Sequence, residues 1–146
     1  MEYRLLSDNE IRDLESRILF EDNHLLILNK RVGEITQGDK TGDECLSEKL
    51  KAYIAYRDNK AGKVFMGVAH RLDRPVSGVC IFAKTSKALE RLNEMFRTSQ
   101  IHKTYWALCE SHPPKDEGEL DNYIWKNEKQ NKSYICKENE RVGAKL

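Results

Sequence analysis

His70-Arg71-Leu72-Asp73-Arg74-Pro75-Val76-Ser77-Gly78 lies between two short apolar runs, Val64-Phe65-Met66-Gly67-Val68-Ala69 and Val79-Cys80-Ile81-Phe82-Ala83. Runs of that length, bounded by turn residues, read as buried strands. Pro75 biases Arg74 toward extended backbone, and Ser77-Gly78 favours a turn. The stretch therefore predicts a charged loop carried on two buried strands, a placement common for functional residues.

Working outward from that loop, the upstream chain alternates helices with a hairpin. Ser7-Asp8-Asn9-Glu10 has capping-box spacing. It predicts a helix to about Arg17 with Ile11, Leu14 and Ile18 on one face. Ile18 to Asp22 and Leu25 to Lys30 read as a strand pair turning at Asn23-His24, with His24 a turn residue. Residues 38–42 read as a loop. Thr41 and Glu44 again have capping-box spacing, ahead of a helix bearing Leu46, Leu50, Tyr53 and Ile54 on one side. Tyr53 and Tyr56 are expected to pack, and Arg57 to Lys63 to form a solvated basic loop.

Downstream, Thr85 can cap a third helix with Ala88, Leu89, Leu92, Met95 and Phe96 on one face, ending at Thr98-Ser99-Gln100. Ile101 to Glu110 reads as a strand from its β-branched and aromatic content, broken by Pro113-Pro114. Gly118 to Trp125 and Ser133 to Lys137 read as two more strands around a polar turn. Glu138 to Leu146 has no clear element. Six or seven strands joined by hairpins and short helices predict an α+β fold with a largely antiparallel mixed sheet.

The 146 residues suit one domain. Formal net charge is only +1, so a nucleic-acid partner must be met by a local basic patch. Cys45, Cys80, Cys109 and Cys136 lack the C-x-x-C spacing of a zinc site, and no metal site is expected. Cys45 and Cys80 fall within apolar patterns and read as buried thiols. That suits a reducing, cytoplasmic setting. No stretch is apolar enough to cross a membrane, and Met1-Glu2-Tyr3-Arg4 opens no signal peptide.

Asp73 is the chemically suggestive residue. A carboxylate can attack a sugar's anomeric carbon or stabilise positive charge there. It can equally pair with Arg71 or Arg74 to close a loop, and on the residues alone that reading is favoured.

His70-Arg71-Leu72-Asp73-Arg74 followed by Ser77-Gly78 closely resembles the signature loop of the RluA-type pseudouridine synthases, which isomerise uridine in structured RNA. Lys103-Thr104-Tyr105-Trp106-Ala107 resembles that family's Lys-x-Tyr-x-Ala strand, at a matching distance. Ile18 to Gly33 resembles its acidic hairpin followed by Asn-Lys-x-x-Gly, although the family usually has proline where this chain has Arg31. The resemblance implies that Asp73 is the catalytic carboxylate. It implies that Tyr105 stacks on the target base and acts as general base, and that Arg71 enters the RNA stack as the uridine flips out. His70, Arg74 and Lys103 would face RNA, with Lys103 a phosphate contact. The substrate would be ribosomal or transfer RNA. No cofactor, membrane or obligate protein partner is implied.

By the same resemblance, residues 1–17 form an N-terminal helical extension and 18–146 the N-terminal portion of the catalytic domain. The family's later block, a Thr-Gly-Arg run and then His-Gln-Ile-Arg, has no counterpart. The chain therefore reads as a truncated form with an incomplete sheet and little activity alone. The alternative is a non-catalytic RNA-binding module of the same fold.

Overall fold

Leu26, Leu28 and Lys30 alternate along one strand, and all three are fully buried. This strand, β2 (Leu25–Lys30), forms the centre of the first unit. It lies between β1 (Ile18–Glu21) and β4 (Gly78–Ala83), and β4 pairs on its far side with β3 (Gly67–Val68). All three pairings are antiparallel. The computed structural model describes residues 3–38, 42–137 and the backbone of 144–145. They divide into two units, Met1–Lys103 and Thr104–Leu146.

Register decides which side chains meet. Leu26 pairs with Phe82 and Leu28 with Cys80, on one face of the sheet. Helices α1 (Asp8–Arg17) and α2 (Leu46–Arg57) cover that face with Leu14, Leu50, Tyr53 and Ile54. Leu25 pairs with Ala83 and Ile27 with Ile81 on the opposite face. There, helix α3 (Ser86–Arg97) packs Ala88 and Leu92 against Ala83. Each buried Leu or Phe contributes about 1.5–3 kcal/mol, so the central strands are held from both sides.

The helix ends follow local chemistry. The Ser7 amide donates to the Glu10 carboxylate at 2.9 Å, and Ser7 Oγ accepts the Glu10 amide, completing the expected capping box of α1. Thr85 Oγ1 accepts the Ala88 amide at 3.2 Å and starts α3. The second expected capping box is corrected. Cys45 is the N-cap of α2 and gives no side-chain cap, and Glu44 is bound by Arg4 at 2.7 Å; Thr41 lies outside the described residues. Tyr53 is buried as expected, whereas Tyr56 is exposed. Arg57 belongs to the end of α2, where Glu21 grips it at 2.7 and 2.9 Å.

The run Val64 to Ala69 contributes only a two-residue strand. Its upstream end is diverted, because the Val64 amide donates to the Tyr3 hydroxyl at 2.6 Å instead of to a ladder. Val64 and Met66 are nevertheless buried. Gly67 allows α3 to approach, since a Cβ there would meet Leu89 Cδ2 at 2.8 Å.

In the second unit, β5 (Tyr123–Asn127) is flanked by β6 (Lys132–Cys136) and β7 (Ala144–Lys145), both antiparallel to it. Trp125 and Tyr134 face each other across the hairpin with ring centroids 6.0 Å apart. The strand β7 falls where no element was expected; residues 138–143 and 146 lie outside the described residues. The expected strand Ile101 to Glu110 is corrected: it has no ladder among the described residues. Strand propensity alone cannot satisfy a backbone edge without a neighbouring strand.

Candidate active site

The loop from His70 to Ser77 leaves β3 and enters β4. Gly78, at φ +136°, makes the turn into β4 in a conformation that favours glycine. Leu72 is buried, while Arg71, Asp73 and Arg74 are exposed. A second loop, residues 31–38, leaves β2 and runs alongside the first. The two face each other across a cleft of about 240 Å³, lined by residues 35–38 and 71–74.

Three tie points fix the Asp73 loop to its neighbour. Lys30 Nζ, fully buried, donates to the carbonyls of Asp73 at 3.1 Å, Val76 at 2.6 Å and Arg31 at 3.1 Å. Thr36 Oγ1 donates to the Leu72 carbonyl at 3.1 Å and accepts the Leu72 amide at 3.3 Å. The Gly33 amide donates to the Arg74 carbonyl at 2.8 Å. Buried polar groups paired this way resist displacement, because a lost partner leaves an unsatisfied group. Burial pushes the Lys30 ammonium below its ordinary pKa, opposed by the negative charges of Glu34 and Asp73.

The second loop is itself braced. Glu34 receives Arg17 at 2.8 and 3.0 Å and accepts the Arg31 amide at 2.8 Å. A proline at position 31 could not donate that bond. Arg31 also pairs with Asp13 at 2.6 Å. The residue that departs from the resembled pattern thus closes its turn by a different route.

Among the site residues expected from sequence, the structure brings His70, Arg71, Asp73 and Arg74 onto one loop. The Asp73 carboxylate carries no hydrogen bond or ion pair among the described residues, so it does not serve to close the loop on Arg71 or Arg74. Arg74 reaches Asp43 at 2.6 Å. His70 is half-buried: its ring packs 4.9 Å from Phe96, and Nε2 accepts the Ile81 amide at 2.9 Å where the β3 ladder has ended. Burial, and then the charge of Lys103, push its pKa below the ordinary value. The imidazole is therefore neutral and engaged within the fold. Lys103 is exposed at the end of the first unit, and Tyr105 is exposed in the second. Among the described residues, no three His, Cys, Asp or Glu side chains converge as metal ligands.

Sequence reasoning met Lys30 only as part of the Asn-Lys-x-x-Gly pattern, without a role, and passed over Thr36 and Gln37. Lys30 carried a usable signal: it continues the alternation of Leu26 and Leu28, so it had to enter the core and find acceptors there. Thr36 and Gln37 stand in an irregular loop without periodicity to read.

Comparison with known proteins agrees with this arrangement. Residues 24–145 match the family model described as RNA pseudouridylate synthase. The chain is 33% identical over 118 residues to the mitochondrial pseudouridylate synthase RPUSD4 of Xenopus tropicalis, covering 81% of this chain and 36% of that protein. It is 36% identical over 100 residues to ribosomal large subunit pseudouridine synthase C of Vibrio parahaemolyticus, covering 68% of this chain and 30% of the relative. The solved structure of human RNA pseudouridylate synthase domain containing 4 is similar in fold, with a TM-score of 0.74 at 23% identity, over 92% of this chain and 52% of that one. The chain thus spans about a third of the two sequence relatives and half of the structural one. With its signature loop built around Asp73 and a family match across most of its length, the chain belongs to the RluA-type RNA pseudouridylate synthases.

Proposed function

We propose that the protein isomerises uridine to pseudouridine in structured RNA, ribosomal or transfer, with Asp73 as the catalytic carboxylate. One observation carries this reading. The Asp73 carboxylate is exposed in the cleft and has no partner among the described residues, while its backbone is held by Lys30 and its neighbour Leu72 by Thr36. A group held in place but unpaired is ready to meet charge that develops only during reaction.

In this reading, the bond from ribose C1′ to N1 breaks and its electron pair leaves with the uracil. Asp73 meets the positive charge at C1′, as an ion pair or by forming an ester bond. The uracil turns, and C5 bonds to C1′, releasing the carboxylate if an ester had formed. C5 then loses its proton and N1 takes one up, so the product is an isomer and no cofactor is required. Tyr105 is assigned the stack on the target base and the C5 proton on the resemblance of Lys103 to Ala107. Arg71 enters the helix where the base flips out, since a guanidinium plane can replace lost stacking. Arg74 and Lys103 meet phosphate. His70 supports the loop from beneath, beside whatever RNA contact its edge makes.

Residues 1–17 are assigned as an extension on a catalytic portion beginning at Ile18. Four free cysteines fit a reducing compartment, here taken as the cytoplasm. Among the described residues no helix is long and apolar enough to cross a membrane.

The test is pseudouridine formation on bulk cellular RNA. It compares this chain, its extension through any contiguous downstream reading frame, and both with Asp73→Ala. Conversion that depends on Asp73 is expected. The substitution should change stability by no more than about 0.5 kcal/mol, since the side chain is exposed and unpaired. Salt-sensitive RNA binding without conversion in every form would replace the catalytic assignment with that of an RNA-binding module.

A further inference from the structure

We propose that Gln37 reads the target uracil, and that it holds the base by its N3–H before and after the base turns. The proposal rests on the isomerase reading above. It begins from the groups that the cleft leaves available. Among the described lining residues, Ile35 and Leu72 are apolar and buried. The Thr36 hydroxyl is engaged twice by Leu72. Arg71 and Arg74 only donate, and an ionised Asp73 only accepts. Gln37 is exposed, and its amide has no hydrogen-bond partner among the described residues. Among the side chains of these described lining residues, it alone offers a free acceptor and a free donor side by side in one plane.

Its position is also set. Thr36, directly before Gln37, is bonded to Leu72, directly before Asp73. The Ser47 amide donates to the Thr36 carbonyl at 3.3 Å, and the Leu46 amide to the Ile35 carbonyl at 2.8 Å, fixing this wall to the start of α2. One bonded residue pair therefore sets the backbone of Gln37 against that of Asp73, on the two sides of the cleft that both residues line.

The chemistry of the turn supplies the rest. Uracil presents N3–H between two carbonyls. A half-turn about the line through N3 and C6 exchanges N1 with C5, which the isomerisation requires. It also exchanges the C2 and C4 carbonyls and leaves N3–H in place. Gln37 Oε1 can accept N3–H throughout that turn. Its amide NH₂ donates to one carbonyl at the start and to the other at the end. The side chain would act as a pivot that serves uridine and pseudouridine alike, while Asp73 attends to C1′.

The experiment follows, in the ¹⁵N-labelled chain, the Gln37 side-chain amide resonances and, in every variant, the backbone amides of residues 71–74. The probes are uridine, pseudouridine and 3-methyluridine 5′-monophosphates. Uridine and pseudouridine monophosphates are expected to shift these resonances with affinities within about twofold of each other. The 3-methyl compound, lacking N3–H, should bind about tenfold more weakly, the loss of one hydrogen bond. Gln37→Leu should abolish that preference, and Gln37→Glu, which keeps an acceptor, should retain part of it. Equal binding of the 3-methyl compound, an unchanged preference in Gln37→Leu, or no response of Gln37 to any probe would overturn the assignment. The readout needs no turnover. Conversion of RNA without the Gln37 response therefore removes this proposal alone, and the Gln37 response without conversion removes the activity alone.

Discussion

Replacing Lys30 with methionine removes one buried ammonium and keeps an unbranched side chain only one atom shorter. Three carbonyls lose their shared donor, those of Arg31, Asp73 and Val76. A hydrogen bond from a charged donor contributes about 1.5–3 kcal/mol, so the gross loss is on the order of 5–9 kcal/mol. Two effects offset it. The desolvation cost of the ammonium, several kcal/mol, disappears, and the carbonyls of the exposed residues Arg31 and Asp73 can turn to water. A net destabilisation of about 2–4 kcal/mol remains. With a urea dependence of roughly 1.5 kcal/mol per molar, the unfolding midpoint should fall by about 1.3–2.7 M. The loss should be local. The Val76 amide, bonded to the Asp73 carbonyl at 3.0 Å, and the Gly33 amide, bonded to Arg74, should exchange with solvent faster, while the β2–β4 ladder keeps its order of protection. The sign of the pH effect also follows. Burial lowers the folded pKa of Lys30 below the ordinary 10.5. Between those two values the unfolded chain binds more protons, so stability rises with pH across that window and falls as pH drops through the folded value. Lys30→Met should lack that rise. An unchanged midpoint together with unchanged Val76 exchange would show that Lys30 does not hold the loop.

Two further changes test the same region. Thr36→Val keeps shape and removes the hydroxyl that bonds Leu72 in both directions; it should cost about 1–3 kcal/mol and speed exchange of the Leu72 amide, read by hydrogen exchange. For His70, the folded pKa is lowered by burial and by Lys103, so its contribution is present above the ordinary histidine value and is lost as pH falls through the folded one. His70→Gln, which can still accept the Ile81 amide through its side-chain oxygen, should flatten that acid-side loss in melting curves taken between about pH 4.5 and 7.5.

The Asp73 loop was legible because its charge density contrasts with the apolar runs on both sides, and because hydrophobic alternation fixes which strand faces enter the core. The hairpin, α1 and α3 were legible for similar reasons: each has a local cap or turn that requires no distant partner. Elements that depend on distant groups were harder to read. Val64 to Met66 looks like strand, yet Tyr3 takes the Val64 amide from sixty-one residues away. Ile101 to Glu110 has strand composition and no ladder among the described residues. Within the site, the exposed charges were found and the buried supports were not. Lys30 and Thr36 act through backbone carbonyls and amides, which every residue carries and no residue type advertises.

Leu72, buried between exposed Arg71 and Asp73, gives the loop a parity. Inserting or deleting one residue between Leu72 and the carbonyls held by Lys30 would part the buried anchor from those ties, so that Leu72 and Asp73 could not both keep their places, one in the core and the other in the cleft. Length here can drift only in ways that preserve the count. Exposed stretches such as residues 59–63 carry no such arithmetic. Changes of length can accumulate there while the Asp73 loop stays in register.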